Sequence, residues 1–157
     1  MTAHIRIPRM VSRASAVSAL TVAAVGSTVA VPGSPSEAEA ATVAVKALRI
    51  AASKKGAPYV YGAAGPHRFD CSGLTQYAYK RAGKRLPRTA AAQYNGTRRI
   101  GTSARTRGDL VFFHGGGGVY HVGLYAGSGR IWHAPKTGTV VRLERIWTRQ
   151  VSYGKVR

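Results

Sequence analysis

The stretch Tyr120-His121-Val122-Gly123-Leu124-Tyr125-Ala126-Gly127-Ser128-Gly129-Arg130-Ile131-Trp132-His133-Ala134 decides how the chain is read. Two runs with strand-type apolar and aromatic residues flank Gly127-Ser128-Gly129, the pattern of a hairpin. A three-residue turn there pairs Ala126 with Arg130 and Gly123 with His133. Side chains alternate with period two, so His121, Gly123 and His133 then share a face and His121 is a diagonal neighbour of His133. The small Gly123 leaves room for the rings. A two-residue turn would put the histidines on opposite faces.

Working outward, Asp109 to Phe113 reads as a short apolar strand, followed by a Gly115 to Gly118 loop. Thr139 to Ile146 and Val151 to Val156 read as further strands. Upstream the period changes. Thr42 to Lys55 reads as a helix closed by Gly56 and Pro58, and Tyr59 to Gly62 is a short extended piece before a loop, Ala63 to Phe69. Asp70 is a good N-cap for a helix from Cys71 to about Ala82, ended by Gly83. Thr89 caps a short helix, Ala90 to Tyr94. Helices first and strands after predict an α+β domain, N-terminal helices packed on a mostly antiparallel sheet of about five to six strands.

The first forty residues read as a secretory signal peptide. Arg6, Arg9 and Arg13 precede a charge-free stretch, Ala14 to Val31, and Ala38-Glu39-Ala40 has cleavage-site spacing, so residues 41–157 are expected as the mature domain. The alternative is a membrane anchor, but the run is poor in Leu, Ile and Phe.

Of the 24 Lys and Arg, three precede Ala41; of the five acids, Glu37 and Glu39 do. The remainder carries +18 with only Asp70, Asp109 and Glu144 as acids. Such an excess predicts a polyanionic neighbour, an anionic wall polymer or membrane face outside a cell. Arg98, Arg99, Arg105 and Arg107, between the last helix and the first expected strand, are the candidate contacts. Three carboxylates supply paired-carboxylate glycoside hydrolysis and carboxylate-rich metal sites poorly.

Cys71 is the single cysteine. In an exported chain it cannot form an internal disulfide, so it is a packed small hydrophobe or a reactive thiol. At a helix N-terminus the dipole favours its thiolate, while Asp70 next to it works against that. A partner imidazole is needed, and His114, His121 and His133 are the candidates. With His121 as base and His133 as the group that orients it, Cys71 completes a nucleophile–base–orienter set. A metal reading is weaker: one Cys and two His offer no short ligand pair and no fourth ligand, although a catalytic zinc needs only three. No metal or cofactor is expected.

Six blocks in order now bear on identity: Pro58-Tyr59-Val60-Tyr61-Gly62, Phe69-Asp70-Cys71-Ser72-Gly73-Leu74, Leu86-Pro87-Arg88-Thr89, Gly108 to Phe113, His121 to Tyr125, and Ile131 to Pro135. From about Ala47 to Val141 the chain closely resembles the NlpC-type cell-wall endopeptidases. The resemblance implies a papain-like α+β fold and cysteine-dependent hydrolysis of bacterial peptidoglycan stem peptides, commonly between D-glutamate and the diamino acid. It places the nucleophile on Cys71, the base on His121 and the third polar residue on His133. It further implies that Tyr59 helps hold the oxyanion, and that Asp70 and Ser72 carry part of the free-amine contacts. The sequence departs from many members in having Gly62-Ala63-Ala64-Gly65 where they have Gly-Gly. The expected setting is secreted and wall-associated, as a monomer without nucleic acid. Two other readings remain open on residues alone: a non-catalytic binder of wall polyanions or nucleic acid, and an amidase or acyltransferase on the same scaffold.

Overall fold

The computed structural model describes residues 35–157. The expected signal peptide falls mostly outside them. Three helices, α1 (Pro35–Ser53), α2 (Cys71–Ala82) and α3 (Ala90–Gly96), precede six strands: β1 (Arg98–Ile100), β2 (Leu110–Gly115), β3 (Gly118–Gly127), β4 (Arg130–His133), β5 (Arg142–Arg145) and β6 (Val151–Lys155). All pairings are antiparallel, and the strand order is β1-β6-β2-β3-β4-β5. The α+β expectation, helices on an antiparallel sheet, holds.

The helices form where local chemistry asks for them. In α1, Ala44, Ala47, Leu48 and Ala51 are buried, spaced as one helical face. Small residues let α1 lie close against α2. This helix starts at Pro35, ahead of the expected Thr42, so the expected cleavage site lies within it. Glu37 complements the dipole of its first turn. Asp70 caps α2 by accepting from Gly73 N–H, and Gly83 closes it in the left-handed region at φ 105°. Thr89 caps α3 by accepting from Ala92 N–H.

The sheet has two apolar faces. Leu110, Phe112, Val122 and Leu124 pack with the helices in the main core. Val111, Phe113, Tyr125, Ile131 and Tyr153 form a second cluster. The alternation of β2, β3 and β4 thus feeds two layers.

Three expectations are corrected. The first strand is not Asp109 to Phe113 but Arg98–Ile100, which pairs with β6 and forms the sheet edge. Its two arginines are exposed, so it has no apolar signature, and charge on an edge strand discourages further pairing. The strand expected over 139–146 is shortened to Arg142–Arg145. The residues before it turn to the helix side: Val141 N–H donates to Ala57 O and Tyr59 N–H to Thr139 O.

The third correction concerns the hairpin. Gly127, not Ala126, pairs with Arg130, leaving a two-residue turn of Ser128 and Gly129, both at positive φ (51° and 68°). Such turns match the natural strand twist. Alone it would separate the histidines. However, a β-bulge at Ala126 takes up one residue, and Leu124 pairs with Trp132. One step further, Gly123 faces His133, as a three-residue turn would have set it.

Candidate active site

Cys71 is the first residue of α2, and its position is fixed by the loop wrapped over the helix start. Asp70 is the hub of that loop. Its Oδ1 accepts from Gly73 N–H at 2.7 Å and Arg88 Nη1 at 2.9 Å, and its Oδ2 from Gly62 N–H at 2.9 Å and Arg88 Nη2. Burial would raise its pKa, but Arg88 and the Gly73 and Gly62 N–H groups outweigh burial and hold it below the ordinary value. Arg88 also donates to Ser72 Oγ at 3.0 Å. Gly73 is required sterically, because a Cβ there would stand 2.1 Å from Ala63 O. The loop therefore lies directly on the first turn.

The imidazoles come from the sheet. His121 Nε2 lies 2.8 Å from His133 Nδ1, and both residues are buried. The diagonal placement on the hairpin brings them together. Gly123 makes room: a Cβ there would meet Trp132 O at 3.0 Å and His133 Cβ at 3.2 Å. A second bulge, opposite Phe113 and His114, takes up Tyr120, leaving it exposed beside His121. Bulges commonly re-aim side chains at functional sites.

His133 continues the line. Its Nε2 lies 3.0 Å from Glu144 Oε2, which also accepts from Arg142 Nε at 2.8 Å. Sequence reading had missed Glu144 and Arg142. Their signal is the alternation Arg142-Leu143-Glu144 on a strand that pairs His133 with Arg142. It becomes readable only once that register is known. Trp147, also unforeseen, stacks on Phe113 at 4.2 Å and stands 5.7 Å and 5.5 Å from the rings of His121 and His133.

Burial favours the neutral forms of the thiol and of both imidazoles. Burial raises the Cys71 thiol, with Asp70 adding to it, against backbone hydrogen bonding from Val122 and Ser72. Burial lowers His121 to about 3, helped by His133 and opposed by Glu144. His133 is lowered by burial against the pull of Glu144. Burial would raise Glu144, but Arg142 and His133 overcome it and keep it ionised. Tyr59 is raised by burial and by Cys71 and Asp70, so it remains a phenol and a donor.

The thiol lies between two hollows that share Tyr59, Cys71 and Tyr120. One, of about 380 Å³, is lined by His121, His133, Lys136, Arg142 and Glu144. The other, of about 440 Å³, is lined by Tyr61, Asp70, Ser72 and Arg88. Cys71, His121, His133 and Tyr59 are therefore brought to one cleft, with Asp70 and Ser72 beside it. His114 is elsewhere, 2.7 Å from Ser152 Oγ.

The four surface arginines do not form the single loop cluster expected. Arg98 pairs with Glu37 at 3.4 Å, and the Arg99 guanidinium stacks 3.2 Å above the Tyr94 ring. Arg105 donates to Tyr153 Oη and stands 4.9 Å from the rings of both Tyr125 and Tyr153. Arg107 lies against Gly127.

A cysteine at a helix start facing two strand-borne imidazoles has clear relatives. Solved structures include the peptidoglycan hydrolase RipB of Mycobacterium tuberculosis, with a TM-score of 0.67 and 30% identity over 76% of this chain and 67% of that one. The P60 domain of an antigen of M. avium subspecies paratuberculosis has a TM-score of 0.67 and 27% identity over 74% of this chain and 96% of that one. Among curated proteins, a probable endopeptidase p60 of Listeria monocytogenes is 49% identical over 53% of this chain and 17% of its own length. The bifunctional muramidase/DL-endopeptidase CwlT of Bacillus subtilis is 42% identical over 58% of this chain and 29% of its own. This chain thus matches under a third of either curated relative. The NlpC/P60 family model matches residues 56–154, from the loop before Tyr59 through β6 and across every residue of the cleft, and the chain belongs to the NlpC/P60 family.

Proposed function

We propose that this chain is a secreted cysteine endopeptidase of bacterial peptidoglycan that cuts stem peptides at the D-glutamyl–diamino acid bond. The observation that carries the reading is the convergence of Cys71, His121 and His133 in one cleft. It is supported by similarity to proteins described as peptidoglycan hydrolase and DL-endopeptidase.

His121 Nδ1 takes the proton from Cys71 Sγ as sulfur attacks the scissile carbonyl carbon. Because burial disfavours both thiolate and imidazolium, proton transfer accompanies attack rather than preceding it. The Cys71 N–H, a first-turn donor without an intrahelical acceptor, and the Tyr59 hydroxyl stabilise the oxyanion. Collapse breaks the C–N bond, and His121 returns the proton to the leaving amine. Water, deprotonated by His121, then releases the acyl group from sulfur. His133 holds the His121 ring throughout.

His121 lines only the hollow that holds Lys136 and Arg142, so the leaving diamino acid occupies that side, where the two cations suit its carboxylate. The acyl half lies against Ser72 and Arg88, with Asp70 holding Arg88 in place. The basic surface is assigned to anionic wall polymers, to which Arg98, Arg99, Arg105 and Arg107 contribute charge. Retention on sacculi should fall steeply with salt, since exposed charges are screened.

The test is incubation of the full chain and its Cys71→Ala variant with purified peptidoglycan, followed by mass spectrometry of soluble products. Fragments ending at D-glutamate and matching fragments beginning at the diamino acid, absent with the variant, are expected. Cys71-dependent fragments cut elsewhere would change the bond. A transfer product in place of hydrolysis would favour the acyltransferase. No product from either protein would remove the enzyme reading.

A further inference from the structure

We propose that Glu144 is a positioning residue that sets the tautomer of both histidines, so that His121 presents a bare Nδ1 to the Cys71 thiol. The proposal rests on the reading of Cys71 and His121 as nucleophile and base, and deepens it.

Three contacts fix the direction of the hydrogens. Glu144 Oε2 lies against Arg142 Nε at 2.8 Å and His133 Nε2 at 3.0 Å, and an ionised carboxylate can only accept. The hydrogen of neutral His133 must then sit on Nε2, leaving Nδ1 as a lone pair. His133 Nδ1 faces His121 Nε2 at 2.8 Å. Two lone pairs cannot face each other at that distance, so His121 Nε2 carries the hydrogen. Neutral His121 then has its lone pair on Nδ1, the nitrogen left for the thiol. Reversing the first hydrogen reverses all of them: a His133 protonated on Nδ1 would donate to His121 Nε2 and leave His121 with Nδ1–H, unable to accept. Among the other charged and titratable groups lining the same hollow, Arg142 and Lys136 only donate, and the Cys71 thiol and the Tyr59 and Tyr120 hydroxyls can each donate or accept and so impose no direction; Glu144 is the one that can only accept. In the transition state the Glu144 carboxylate stabilises the His121 imidazolium through the same two hydrogen bonds, each hydrogen staying on its nitrogen.

Long-range proton–nitrogen NMR of the histidine rings in the full chain tests this directly, with a His121→Gln spectrum assigning its signals among the five histidines. The wild-type protein at neutral pH should show His121 with a bare Nδ1 and a protonated Nε2. Glu144→Leu, which keeps bulk on a half-exposed strand position, should shift His121 toward the reverse tautomer or a mixture. In the peptidoglycan assay it should lower kcat on the order of 100-fold with KM little changed, within the range general-base catalysis contributes. Glu144→Asp should restore the tautomer and part of kcat. Arg142→Gln should leave the tautomers as they are. A wild-type His121 carrying Nδ1–H would overturn the proposal, as would unchanged tautomers in Glu144→Leu. The NMR readout needs no substrate, so it stands apart from any failure to cut the expected bond.

Discussion

The two walls of the cleft are built by different means. The helix wall is local: Asp70, Cys71, Ser72 and Gly73 are consecutive, and the N-cap places the thiol within a single turn. The sheet wall is not. His121 and His133 are twelve residues apart, and their meeting depends on a turn, a bulge and a glycine acting together. The helix wall is held by hydrogen bonds to one carboxylate, the sheet wall by register. An error in the first loosens the nucleophile; an error of one residue in the second turns a histidine to the wrong face.

The largest expected effect comes from breaking register. Inserting one alanine between Trp132 and His133 puts the alanine opposite Gly123 and Arg142 and turns His133 to the other face of β4. Activity should fall on the order of 100-fold or more, within the range that general-base catalysis contributes. Deleting Ala126 is the contrast: it removes the bulge, but Gly127 still pairs with Arg130 and Gly123 still faces His133, so much of the activity should remain. Peptidoglycan assays of the two variants decide it; an inactive Ala126 deletion would mean that the bulge matters for more than its count.

The helix wall should fail more gently. Gly73→Ala pushes a Cβ into Ala63 O and must displace the loop, costing about 1–3 kcal/mol by urea unfolding, the usual range for overpacking. Arg88→Leu leaves the Asp70 carboxylate with only short-range donors. About 2 kcal/mol is expected, below the cost of breaking a fully buried pair because the Arg88 side chain is 36% exposed. If either variant lost activity as completely as the alanine insertion before His133, the contrast between the walls would not hold.

The smallest effect is in pH. His121 and His133 have folded pKa values below the ordinary 6.5. The unfolded chain therefore binds protons more readily, and stability is lost as pH falls from about 6.5 toward about 3. A loss of about 1–2 kcal/mol by pH 5 is expected, at 1.36 kcal/mol per unit for one such group. Asp70 and Glu144, with lowered values, add their own loss only below about pH 4. Activity on the acid side should persist below the ordinary histidine value. Thermal melts and a pH–rate profile measure the two, and an acid limb at pH 6.5 would contradict a neutral resting pair.

The same contrast explains what was legible. Asp70 as cap, Cys71 at the helix start, Gly83 as stop and Thr89 as cap follow from contacts within a few residues, and the sequence carries them openly. The proximity of His121 and His133 was also anticipated, but by a turn the protein does not use. Backbone twist favours Ser128-Gly129 as a two-residue turn, and a bulge leaves little trace in composition. Arg98–Ile100 was missed because an edge strand of charged residues has no apolar alternation. Glu144 was counted among scarce acids and left unplaced, because its partner is set by a cross-strand pairing on a strand that begins later than its apolar pattern suggests.

Trp147 gives the site an optical readout. Its indole lies against both imidazoles, whereas Trp132 packs with the helix-side core. An imidazolium quenches indole emission far more than neutral imidazole does. The fluorescence of this chain, compared with that of Trp147→Phe, would therefore report the protonation of its histidines and the arrival of a ligand in the cleft, with no label attached.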